Sequence, residues 1–78
     1  MITSKKFNLA EGASTFFTFQ LKNKKILSVS REGVGMTEID DNPGPGEWER
    51  GNVSPIIFSE DQPGGPGGER IHVIYRTL

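Results

Sequence analysis

The chain has 78 residues and a mass of 8.6 kDa, enough for one domain with one small core. It contains no cysteine, which excludes disulfides and thiolate metal sites. Its net charge of −1 and pI of about 5.7 lack the basic excess expected of a surface that is nucleic-acid-binding throughout. No apolar run exceeds three residues, far short of the roughly 20 that span a bilayer, so the expectation is no membrane association and a cytoplasmic location.

The charge is unevenly divided along the chain. Up to Arg31 the cations Lys5, Lys6, Lys22, Lys24, Lys25 and Arg31 face Glu11 alone, and from Glu32 onward nine acids face Arg50, Arg70 and Arg76. Such a split steers charged partners or favours head-to-tail contact between copies, unless folding interleaves the halves and cancels it.

In chain order, residues 6–9 read as a short first strand. Asn8 and Glu11 could cap a single helical turn, which Gly12 then ends. Residues 15–22 alternate Phe17, Phe19 and Leu21 with Thr18, Gln20 and Lys22, a period of two that predicts a strand. Residues 26–31 repeat the pattern with Leu27 and Val29. A three-residue loop at 23–25 would join the two runs as a hairpin, with Leu21 opposite Leu27 and Phe19 opposite Val29.

Residues 34–39 are β-capable, although Gly33 and Gly35 weaken the start or mark a bulge. Residues 40–47 are turn chemistry throughout. Pro55 confines the run 53–58 to an edge, a bulge or a strand start. Residues 62–68 are proline and glycine after Gln62, and predict a flexible connection. Ile71, Val73 and Tyr75 alternate through a last strand, 71–76.

These elements predict an all-β domain over residues 1–78, a small barrel or sandwich of five to six mainly antiparallel strands. Its expected core is Phe17, Phe19, Leu21, Leu27, Val29, Ile71, Val73 and Tyr75. Phe16, Ile26, Ile56, Phe58 and Ile74 fall on the opposite face. A sheet apolar on both sides needs closure or a second chain to cover it, which points to a homodimer.

No catalytic constellation emerges. His72, the single histidine, lies within a strand, and no serine sits in a Gly-x-Ser-x-Gly turn. Glu47 and Glu49 flank Trp48 as solvated loop carboxylates. Asp40, Asp41 and Asn42 open like a calcium loop, but Gly44, Pro45 and Gly51 stand where later ligands and the turn glycine are required. The glycines at 64–68 are followed by neither Gly-Lys-Ser/Thr nor a helix start, so they cradle no phosphate. No catalytic residue, metal or cofactor is therefore expected.

The candidate binding residues are Trp48 and Phe16, as aromatic anchors, and Lys22, Lys24 and Lys25 at the expected hairpin tip. Trp48 has a second reading, as a lid folded back on the core. The pattern predicts a non-enzymatic protein-interaction module, of the kind that inhibits or modulates another protein. The alternative is a small nucleic-acid-binding β-barrel, with the tip lysines on phosphates and Phe16 stacked on bases.

Overall fold

The computed structural model describes residues 1–52 and 54–78. Among the described residues eight strands form: β1 (Ile2–Leu9), β2 (Thr15–Phe16), β3 (Lys24–Arg31), β4 (Val34–Gly35), β5 (Thr37–Ile39), β6 (Glu47–Glu49), β7 (Ile56–Phe58) and β8 (Glu69–Thr77), with a 3-10 turn at Phe19–Leu21. The all-β expectation holds. The count is eight rather than five to six, because the run 34–39 yields two strands and residues 47–49, read as a loop with solvated carboxylates, form β6 with Glu47 and Glu49 half-buried. Val53, the first residue of the predicted run 53–58, lies outside the described residues.

The strands make two four-stranded sheets, ordered β1-β8-β3-β4 and β2-β7-β6-β5, and no closed barrel among the described residues. The last strand, β8, lies between β1 and β3 and is antiparallel to both. Among the described residues all pairings are antiparallel except β5 with β6. That parallel pair is joined by residues 40–46 alone, where a crossover of about a dozen residues is usual. The short link suffices because it need only return the length of a three-residue strand.

Both sheets contribute to one core. Leu9, Ile26, Val29, Ile71, Val73 and Tyr75 come from the first sheet, Trp48, Ile56 and Phe58 from the second, and Leu21 from the 3-10 turn. Of the expected core, Leu21, Val29, Ile71, Val73 and Tyr75 are buried. Phe17, Phe19 and Leu27 are instead 50, 76 and 43% exposed.

Two local events explain these departures. The hairpin does not form, because the Thr18 hydroxyl accepts a bond from the Gln20 amide at 3.3 Å and opens the 3-10 turn. At about three residues per turn, positions two apart no longer share a face, so Leu21 goes in while Phe19 goes out. In β3 the pairing with β8 jumps from Ile26↔Tyr75 to Ser28↔Ile74. Leu27 is the extra residue of that β-bulge, and Ile26 and Val29, three apart, both reach the core.

The same events revise the two-faced reading. Ile26, Ile56 and Phe58 are buried in the shared core, and Phe16 and Ile74 are half-buried. The second sheet is the cover that the first sheet needed.

The run 34–39 splits between the sheets at Met36. A two-residue turn joins β3 to β4, with φ of +47° at Glu32 and +82° at Gly33. Two positive φ values in succession are the signature of a type I′ hairpin turn.

Residues 62–68 are bound into the fold rather than free. Arg31, 7% exposed, donates from Nη1 to the Gln62 carbonyl at 2.7 Å and from Nη2 to the Pro63 carbonyl at 3.2 Å. It also grips the Glu69 carboxylate with both Nε (3.2 Å) and Nη2 (2.6 Å), and its guanidinium lies 4.7 Å from the Phe58 ring centre. Gly64 donates to the Ala13 carbonyl at 2.9 Å and accepts from the Gly12 amide at 2.8 Å. The Gly65 amide donates to Glu69 and the Gly67 amide to Glu11.

Gly64 is buried, and a Cβ there would overlap the Ala10 carbonyl oxygen. Gly64→Ala should therefore destabilise by about 1–3 kcal/mol, the usual cost of overpacking. A Cβ at Gly65 would meet nothing closer than the Glu69 carboxylate at 3.7 Å, and Gly65→Ala should change stability by less than about 1 kcal/mol. Urea unfolding of both variants checks this; equal effects would mean that the segment is not packed.

The hydrogen bond from Arg31 holds the Glu69 carboxyl below its ordinary pKa, with the Gly65 amide and the Arg31 charge adding to the effect against the opposing cost of burial. A carboxyl depressed in the folded state adds stability that is full above its unfolded pKa and is lost as pH falls through the folded value. The urea midpoint should accordingly fall on acidification through and below the ordinary glutamate range. Glu69→Gln should cost about 2–4 kcal/mol at neutral pH, since it strands a buried guanidinium, and should flatten that acid dependence. An unchanged pH profile in the variant would contradict the assignment.

Candidate functional site: an aromatic groove with lysine walls

The 3-10 turn that exposes Phe19 leaves it beside Phe17 at the surface. Phe17 and Phe19 stand edge to face, ring centres 5.1 Å apart and planes at 78°. They border a groove of about 470 Å³ that is also lined by the buried Leu21 and Ile26 and the exposed Leu78. Lys22 and Lys24 line the same groove, and no Asp or Glu does among the described residues.

Arg50 also lines the groove but is already engaged. It is 3.1 Å from Glu38 in an ion pair, donates to the Ile26 carbonyl at 2.8 Å, and lies 5.4 Å from the Trp48 ring centre. The lysines have no carboxylate within ion-pair distance among the described residues. The groove thus offers two aromatic edges and two uncommitted cations.

The sequence-predicted residues divide. Trp48 lies in β6 at 2% exposure, paired in register with Phe58. It is a core residue under Arg50 and presents no surface to a partner. Phe16 is half-buried, its ring 5.2 Å from that of Phe7. Lys22 closes the 3-10 turn, its amide donating to the Phe19 carbonyl at 3.1 Å. Lys24 is half-buried beside the groove, whereas Lys25 is exposed and stands opposite Arg76 in the ladder.

The aromatics that the sequence assigned to the core, Phe17 and Phe19, are the ones at the surface. The signal that could have found them is Thr18, a residue suited to capping a turn through its hydroxyl.

Two other clusters hold no catalytic arrangement. A depression of about 630 Å³ is bordered by Glu11, Glu32 and Glu69. Each of these carboxylates already accepts a backbone amide, from Gly67, Arg70 and Gly65 respectively. The Ser4 hydroxyl contacts His72 Nε2 on the outer face of the first sheet. No carboxylate hydrogen-bonds that imidazole among the described residues, so the pair lacks the orienting third group of a nucleophilic site.

Phe19→Ser should leave the urea midpoint nearly unchanged, within about 0.5 kcal/mol, because surface substitutions away from structural features rarely cost more. Ile26→Ala beneath it should cost about 2–5 kcal/mol as a core truncation. Equal destabilisation by the two would place Phe19 in the core after all. No family model, curated protein or solved structure matches the chain, so the reading of function rests on this geometry.

Proposed function

We propose that the protein is a non-enzymatic protein-interaction module whose groove docks an extended segment of another protein, one in which apolar side chains are flanked by Asp or Glu. The observation that carries the reading is the exposed Phe17–Phe19 pair beside Lys22 and Lys24. Large aromatic side chains in a concave site supply binding energy when covered, at about 25 cal/mol per Å² of apolar surface. Unpaired lysines on the walls select the charge of what covers them.

The same lysines disfavour a homodimer formed through the groove. Two copies meeting groove to groove would set Lys22 and Lys24 of one against the same residues of the other. Like charges across an interface cost several kcal/mol. A partner of opposite charge has no such penalty, and engaging it in this way would let the module inhibit or modulate that partner.

Selection from a displayed random-peptide library against the immobilised protein tests the reading. Enriched peptides should combine Leu, Phe or Trp with Asp or Glu, and Phe17→Ser/Phe19→Ser should weaken them at least about tenfold, the loss of roughly 1.4 kcal/mol. Lys22→Ala/Lys24→Ala should reduce their salt sensitivity. Peptides of no charge preference, or ones that bind the phenylalanine variant equally well, would refute it.

A further inference from the structure

The sheets divide the charges of the chain. The strands of the first sheet hold seven Lys and Arg residues, Lys5, Lys6, Lys24, Lys25, Arg31, Arg70 and Arg76, against Glu69 alone. The strands of the second hold Glu38, Glu47 and Glu49 and no Lys or Arg. The placement of β8 causes this, since it carries Arg70 and Arg76 out of the acidic part of the sequence and sets them between β1 and β3.

On β8 the inward residues Ile71, Val73 and Tyr75 alternate with Arg70, His72, Ile74 and Arg76 on the outer face. The register sets Lys6 and Ser30 on either side of His72, Ser4 and Ser28 on either side of Ile74, and Lys25 beside Arg76. Lys6, Lys25, Arg70 and Arg76 are exposed, and none has a carboxylate within ion-pair distance among the described residues. Lys6, Ser30, Arg70 and His72 surround a depression of about 370 Å³. Glu32 and Gly33 complete its rim, and Glu32 Oε1 is held by the Arg70 amide at 2.7 Å.

We propose that this outer face of β1, β8 and β3 binds the phosphate backbone of nucleic acid, without reading base sequence. This surface is distinct from the groove and does not depend on the function proposed for it. The depression seats one phosphate between Lys6 and Arg70, with the Ser30 hydroxyl as a further donor. Arg76 and Lys25 form a second cationic position, four residues further along β8 from His72 and so about 13 Å away. One phosphate group cannot reach both positions, whereas a polymer of phosphates can. Among the described residues the face carries no Phe, Tyr or Trp, and its one imidazole, His72, is half-buried and engaged by the Ser4 hydroxyl, so the face contacts the backbone alone. The overall charge of −1 does not oppose this, because the acids are carried mainly by the other sheet and the loops.

Fluorescence anisotropy of a labelled oligothymidylate, about 15 nucleotides long to exceed the size of the face, tests the proposal. Binding should be saturable at roughly 50 mM salt and should weaken steeply by about 200 mM. Arg70→Ala and Arg76→Ala should each lower the slope of log affinity against log salt by about one. Together they should weaken binding at least tenfold at low salt, a loss of about 1.4 kcal/mol. Arg70→Lys/Arg76→Lys should retain binding, which separates loss of charge from loss of fold, and Phe17→Ser/Phe19→Ser should bind as the parent does. The proposal fails if no saturable binding occurs at low salt, or if the double alanine variant binds normally. It fails equally if the phenylalanine variant loses binding, which would move the contact to the groove. Co-sedimentation with phosphatidylserine vesicles that the oligonucleotide cannot displace would assign the face to a membrane surface instead.

Discussion

A guanidinium taken out of water must find partners for its N–H groups, or its burial costs more than any packing returns. Arg31 meets that demand through Glu69 on the neighbouring strand and the carbonyls of Gln62 and Pro63, with Phe58 of the second sheet against its plane. One side chain thereby ties together two strands of the first sheet, the opposing sheet and the glycine-proline segment. Glu69 extends the tie to the Gly65 amide. Gly64, held between Gly12 and Ala13, brings in the connection from β1 to β2. In a domain this small the hydrophobic core alone supplies only about 3–5 kcal/mol, so a polar cluster in which every guanidinium nitrogen has a partner bears directly on whether the fold persists.

The parts of this architecture legible in the sequence are those fixed by uninterrupted alternation. β8 reads correctly because Ile71, Val73 and Tyr75 keep a period of two along a strand paired on both sides. β3 reads only half correctly. Its bulge at Leu27 is imposed by pairing with β8, which lies more than forty residues away, and no local pattern announces it. The run 15–22 carries a strong strand pattern that tertiary context overrides: β3 takes β8 as its partner, and a capped turn delivers Leu21 to the core instead. The glycine-proline segment misleads in the opposite sense. Its composition permits flexibility, yet the bonds that order it come from Arg31, Glu11 and Ala13, all distant in sequence.

The same long-range pairings decide what the surface offers. Sequence halves of opposite charge do not become spatial halves; the sheets re-sort them, adding Arg70 and Arg76 to the basic first sheet. Trp48, conspicuous in the sequence, is consumed by the core, and Phe17 and Phe19 take its place as exposed aromatics. Of the candidate lysines, Lys22 and Lys24 reach the groove because the 3-10 turn carries the chain past it, while Lys25 joins the outer face opposite Arg76. The result is an apolar groove and a cationic sheet face, both outside the Arg31 cluster that supports the fold.

Arg31 makes the glycine-proline segment part of the cooperative core. Native-state hydrogen exchange of the Gly12, Gly64 and Gly65 amides tests it most directly, because each is a donor within that cluster. All three should exchange as slowly as the amides of β8 and lose that protection together in Arg31→Met, the signature of one cooperative unit. Exchange of these amides at unprotected rates in the parent protein, while β8 remains protected, would contradict the account.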